Sequence, residues 1–170
     1  MLIHRHDIVG CDFGGVICDN HKGRGHREFF TPQEIKNYCE TRNPVDHAFE
    51  TLTKIIELVG PEKFMIVSRC TKPAEKVILA WLKHHDFFSK TGASPENIRF
   101  CRERSDKAEL VDELGITVFI DDRWGVLRVM KAKVTRILFN ALSEEKCLAV
   151  QDNKTFFHCG RWTDLRRFIE

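Results

Sequence analysis

The chain has little that would commit it to a membrane, an extracellular framework or a polyanion. Its 170 residues hold no apolar run approaching the ~20 residues that span a bilayer. The opening Met1-Leu2-Ile3-His4-Arg5-His6 lacks the apolar stretch of an export signal, so the expected compartment is the cytoplasm and no membrane partner is expected. Charge of one sign is missing too: 27 Lys and Arg stand against 25 Asp and Glu, and a net charge of +2 gives no broad pull toward nucleic acid or lipid. The seven cysteines, at 11, 18, 39, 70, 101, 147 and 159, include no Cys-x-x-Cys pair. Their odd number and scattered spacing argue against a disulfide framework and for reduced, buried thiols. The eight histidines form no Cys/His cluster with the spacing of a structural zinc site. Repeats, low-complexity tracts and interdomain linkers are absent, so 1–170 reads as a single domain.

What is present is an alternation of short apolar runs with helical periodicity. Residues 7–12 read as a buried strand ended by Gly14 and Gly15, and Phe64–Val67, Ile98–Cys101, Ile116–Ile120 and Val134–Phe139 predict four more. Between them Ala48, Leu52, Ile55, Ile56 and Val59 recur at helical intervals, as do Val77, Ile78, Trp81 and Leu82 within 73–88. Gly60-Pro61 ends the first of these helices. Ser105-Asp106-Lys107 opens another helix, which turns Ala108, Leu110, Val111 and Leu114 to the core before Gly115 stops it. Further helices are predicted at 124–132 and 163–169. The stretch 17–44 breaks the pattern. It is polar and reads as a flap or small insert with one short helix, capped by Thr31 and carrying Pro32 in its first position. Strands alternating with helices imply an α/β, Rossmann-like, doubly wound parallel sheet of about five strands with helices on both faces. In such a sheet ligands lie beyond the carboxyl ends of the strands.

The polar residues able to do chemistry fall at those ends. Asp12 follows the first apolar run, Ser68 the second, and Asp121-Asp122 the fourth, while Lys107 sits at a helix start. Carboxylates are hard ligands suited to a divalent cation, and a carboxylate beside such an ion can attack phosphorus. Taken singly, each residue has a plainer reading: a helix cap for Asp12 or Ser68, a solvated amine for Lys107.

In order, Asp12-Phe13-Gly14-Gly15-Val16, Ser68 after Phe64-Met65-Ile66-Val67, Lys107, and Asp121-Asp122 after Thr117-Val118-Phe119-Ile120 resemble the four motifs of the haloacid dehalogenase superfamily over roughly residues 7–140. The resemblance implies a Mg²⁺-dependent phosphohydrolase in which Asp12 is the nucleophile and forms an aspartyl-phosphate, with Asp12, Ser68 and Lys107 as the catalytic set. It implies that Ser68, Lys107, Gly15 and Arg69 meet the phosphate. It gives the Mg²⁺ ligands as Asp12, the carbonyl of Gly14, and Asp121 and Asp122, leaving open which of the last two binds directly.

One position departs from the pattern. Most phosphatases of the superfamily carry an acid two residues after the nucleophile, and here that place is Gly14, so slow turnover of poor leaving groups is expected, or a weakened relative that binds a phosphorylated ligand or a protein partner. Asp19 is a candidate substitute acid, alongside a plainer flap-capping role. The gap between Val16 and Val45 is too short for the usual cap, so minimal or no cap is expected and the site should be open. Open members act on exposed phosphoryl groups or borrow cover from a neighbouring subunit. The expected partners are therefore a phosphorylated small molecule, a nucleotide or an exposed macromolecular phosphate, with a homo-oligomer as one arrangement. His21, Lys22, Arg24, His26 and Arg27 form a basic cluster suited to a phosphate-bearing partner, or simply a solvated loop. Arg69, Arg102, Arg104 and Arg123, near strand ends, are candidates for holding a second anionic group.

Overall fold

A computed structural model describes residues 1–19 and 30–169. The basic cluster between His21 and Arg27 lies outside the described residues. The described chain builds one parallel sheet of six strands, β1 (Val9–Cys11), β2 (Phe64–Arg69), β3 (Ile98–Cys101), β4 (Val118–Asp121), β5 (Thr135–Phe139) and β6 (Phe157–Cys159), in the order β3-β2-β1-β4-β5-β6. Eight α-helices accompany it: α1 (Pro32–Thr41), α2 (Ala48–Val59), α3 (Lys72–His84), α4 (Phe87–Thr91), α5 (Arg104–Glu113), α6 (Trp124–Leu127), α7 (Ser143–Gln151) and α8 (Trp162–Leu165). Parallel strands cannot be joined by tight hairpins, so the crossovers run over the faces of the sheet.

Side-chain alternation shows both faces covered. Phe64 and Ile66 of β2, Val118 and Ile120 of β4, and Ile137 and Phe139 of β5 point into one core, with Leu52 and Ile55 of α2, Trp81 of α3 and Trp162 of α8. The residues between them, Val67, Phe119 and Leu138, point into a second core with Val111 of α5, Trp124 and Leu127 of α6, and Ala149 of α7. Each large apolar side chain so buried contributes about 1.5–3 kcal/mol.

Local chemistry explains the boundaries. Thr31 caps α1 in a reciprocal box with Glu34, Pro32 opens it, and Gly60 ends α2 with φ +94°. The helix predicted over 73–88 is two: α3 stops at His84, and Asp86, at φ +55°, turns the chain into α4. The helix predicted over 124–132 ends at Leu127, and the closing segment is α8 followed by a tight turn over Arg166–Phe168. The sixth strand and α7 go beyond the sequence expectation. Neither has a periodic apolar pattern, because α7 buries only Ala149 and β6 only Cys159.

Candidate active site

The strand order reverses direction at β1. From there the chain runs outward through β2 and β3, then crosses to β4 on the other side of β1. A crevice forms beyond the carboxyl ends of strands at such a switch point. Asp12 stands directly beyond β1, and its backbone N–H continues the ladder by donating to the Ile120 carbonyl at 2.9 Å. Asp121 closes β4 and Asp122 follows it. The tips of two adjacent strands therefore bring three carboxylates together, with one oxygen from each of Asp12, Asp121 and Asp122 lying within 4.8 Å of the others.

Lys107, in the first turns of α5, reaches this group from the second core. Its side chain is 1% exposed, and Nζ lies 2.7 Å from Asp121 Oδ2 and 2.9 Å from Asp12 Oδ1. The ammonium also rides 5.3 Å above the Phe119 ring, a favourable cation–π distance. Gly10 permits that arrangement: paired opposite Phe119, it would put a Cβ 2.7 Å from the ring. A small residue in β1 thus seats the ring that supports the lysine.

The electrostatics follow from burial. Desolvation pulls the Lys107 ammonium down, but Asp12 and Asp121 outweigh it and hold the pKa above that of an ordinary lysine. Desolvation pushes Asp121 upward, with Lys107 opposing and Asp12 adding repulsion. Asp122 is pushed up as well, by burial and then by repulsion from Asp121 and Asp12. Three clustered carboxylates face a single buried ammonium, and a divalent cation would relieve the remaining repulsion. All-carboxylate oxygen donors are the chemistry of a hard ion, so Asp12, Asp121 and Asp122 fit a metal of that kind. The neighbouring thiols do not compete as nucleophiles. Burial pushes Cys11 well above its usual range and Cys70 up to about 11, so both stay protonated near neutral pH.

The two glycines after Asp12 differ. Gly15 has φ +77°, and a Cβ there would meet Asp122 Oδ2 at 2.6 Å, so only glycine lets the turn lie against that carboxylate. Gly14 does not share this positive φ and lines the cleft. Gly15, expected beside a phosphate, is buried against Asp122 and is not among the residues lining the cleft.

The cleft has a volume of about 480 Å³ and gathers Asp12, Ser68, Arg69, Lys107, Asp121 and Asp122 on its floor and rim. Ser68 is 4% exposed and belongs to β2, which removes the helix-cap reading. Phe30, Tyr38, Val77 and Ile78 form an apolar wall where α1 and α3 meet. Trp81 Nε1 and His85 Nε2 both contact the Arg42 carbonyl, at 2.7 and 3.1 Å, and so hold the end of α1 in place. Asp19 is exposed, and its N–H donates to the Asn43 carbonyl at 2.9 Å.

Glu145 of α7 supports the site and was not anticipated from sequence. Its Oε2 accepts from the Trp124 N–H at 2.7 Å and the Gly125 N–H at 3.4 Å, and its Oε1 lies 3.5 Å from Arg123 Nη1. It therefore pins the turn that carries Asp121 and Asp122. The signal was Glu144-Glu145 just after Ser143, an acidic first turn without an apolar stripe behind it.

No protein-family model matches this chain, and no curated protein matches it at a significant level. Among the described residues, no helix is long and apolar enough to cross a membrane.

Proposed function

We propose that this protein is a Mg²⁺-dependent phosphohydrolase of the haloacid dehalogenase type that works through a phosphorylated Asp12. One observation supports this reading above others. Asp12, Ser68, Lys107 and Asp121-Asp122, from four separate parts of the chain, line one cleft at the switch point of the sheet. A structural ion pair needs only two of them.

In this reading an Asp12 carboxylate oxygen attacks phosphorus in line, a new O–P bond forms, and the ester oxygen leaves with its bonding electrons and takes a proton from water. A second water then cleaves the aspartyl-phosphate, releasing phosphate and restoring Asp12. Lys107 holds Asp12 in place and offsets charge on the phosphoryl oxygens, and the Ser68 hydroxyl donates to one of them. Asp12, Asp121 and Asp122, with the Gly14 carbonyl that the resemblance adds, would hold the cation, which would supply charge neutralisation there. Gly14 offers no proton to the leaving oxygen, which costs roughly 10²–10⁴ in rate where the leaving group is poor.

The test is hydrolysis of p-nitrophenyl phosphate and a panel of phosphometabolites, with and without Mg²⁺, by the wild type and Asp12→Asn. The expected result is Mg²⁺-dependent release of phosphate that the substitution abolishes, and indistinguishable proteins on every substrate would end the enzymatic reading. Gly14 also favours a second reading, a phosphate-binding relative without useful turnover. Mg²⁺ with beryllium fluoride would then raise the melting temperature of a protein that hydrolyses nothing.

A further inference from the structure

Four arginines, Arg69, Arg102, Arg104 and Arg123, stand around the cleft, and their partners sort them into two kinds. Arg102 is committed: Nη1 donates to the Cys70 carbonyl at 2.6 Å and Nη2 pairs with the Glu75 carboxylate. Arg123 is committed as well, 3.6 Å from Asp122 and 3.5 Å from Glu145. Arg69 and Arg104 are exposed, and the guanidinium of neither is hydrogen-bonded or ion-paired among the described residues.

Their positions are not arbitrary. Arg69 ends β2, one residue beyond Ser68. Arg104 opens α5 and leans toward α6, where a Cβ on Gly125 would come within 3.1 Å of its Nη1. Glu103, the nearest acid in sequence to Arg104, closes a capping box with Asp106. The opposite wall of Phe30, Tyr38, Val77 and Ile78 carries no charge. A guanidinium presents a planar fork of donors matched to phosphate or carboxylate. Arg69, which the resemblance sets on the transferred phosphate, instead stands exposed at the mouth of the cleft with Arg104, and two such forks above a floor already furnished with one buried ammonium exceed what a single phosphate needs.

We propose that the substrate is a phosphomonoester bearing a second anionic group, a phosphate or carboxylate on the leaving alcohol, and that Arg69 and Arg104 hold this second group. The proposal rests on the phosphohydrolase reading and adds the substrate class to it. Charge at the rim, rather than enclosure, then selects the substrate.

The experiment measures kcat/KM with Mg²⁺ for phenyl phosphate against 4-carboxyphenyl phosphate, and for adenosine 5′-monophosphate against adenosine 3′,5′-bisphosphate. The expected result is a preference of about tenfold or more for the doubly anionic member of at least one pair. The pair that shows it tells carboxylate from phosphate. In the double variant Arg69→Gln/Arg104→Gln that ratio falls to near one. No preference in either pair, or a preference that survives the double substitution, overturns the proposal.

Melting temperature supplies a second arm, recorded with Mg²⁺ and each adenosine nucleotide on protein carrying Asp12→Asn. Its ligand-free value checks that the arginine variants are folded. If no substrate is turned over, the phosphohydrolase reading fails while this arm still decides the arginine site. A larger shift with the bisphosphate, lost in the arginine variants, keeps the site, and equal shifts remove it.

Discussion

Helix α5 carries two charge clusters of mirrored composition. Near its start Lys107 sits between the carboxylates of Asp12 and Asp121. Toward its end Asp112 sits between the ammonium groups of Lys131 at 2.5 Å and Lys133 at 3.0 Å. By formal charge the clusters are equal in size and opposite in sign, but Lys107 and Asp121 are 1% and 0% exposed, whereas Lys131 and Asp112 are 64% and 31% exposed. Solvent and salt screen the second cluster, so it adds little to stability. The first has lost its hydration, and apolar residues of the same volume would serve the fold as well or better. The difference teaches that the buried cluster is better accounted for by the proposed chemistry at Asp12 than by stability.

That contrast can be broken at several points. The largest effect is expected from Lys107→Met, which leaves Asp121 buried without its counter-charge and should cost about 3–5 kcal/mol. Urea denaturation measures it, and a loss no greater than that of an exposed pair would sink the comparison. Next comes the coupling of protons to the cation. Asp122 is raised, so the folded protein binds a proton there more tightly than the unfolded chain. That contribution is complete below the ordinary carboxylate range and is lost as pH rises through the raised pKa. Without metal, melting temperature should therefore carry a downward contribution from about pH 5 to about pH 8, while the rise produced by Mg²⁺ grows over the same interval. At a hundredfold excess over Kd that stabilisation reaches about 2.7 kcal/mol. Thermal melts in EDTA and in Mg²⁺ across that range test it, and a Mg²⁺ effect independent of pH would count against the carboxylate site.

Glu145 lies between the two extremes, its side chain 15% exposed. Glu145→Gln should cost about 1–2 kcal/mol, through weaker bonds to the Trp124 and Gly125 N–H groups. Mg²⁺-dependent stabilisation should fall with it, because the turn carrying Asp121 and Asp122 loosens. Calorimetry with and without Mg²⁺ separates the two losses. The smallest effect is expected from Asp112→Asn, whose melting temperature should match wild type within measurement scatter. A drop as large as that of the Glu145 variant would erase the contrast between the clusters.

The parts of this architecture legible in the sequence are those whose signals are local. Alternating apolar strands and helices announced the doubly wound sheet, Thr31-Pro32 marked α1, and Gly60 and Gly115 marked ends where φ is positive. Asp12 and Asp121-Asp122 stood out at the ends of apolar runs, whereas Ser68 and Lys107 could be chosen only through the motif order that the resemblance supplies. What the sequence hid was set by tertiary contact. The turn at Asp86 needs a left-handed backbone that no glycine advertises. β6 gains strand geometry from pairing with β5, from Ile137↔Phe157 to Phe139↔Cys159, and not from its own composition. The split among the four arginines depends on Glu75 and Glu145, far away in sequence, and no motif spacing contains it.

The placement of β1 between β2 and β4 has a consequence for the newborn chain. Asp12 leaves the ribosome well before the neighbour that completes its surroundings, which is translated more than a hundred residues later. Until β4 emerges, β1 has one pairing edge open and Lys107 lacks Asp121. The centre is thus completed only when the fourth strand is made, and a polypeptide released before residue 121 carries its lysine and its first aspartate without the third member that locks them together.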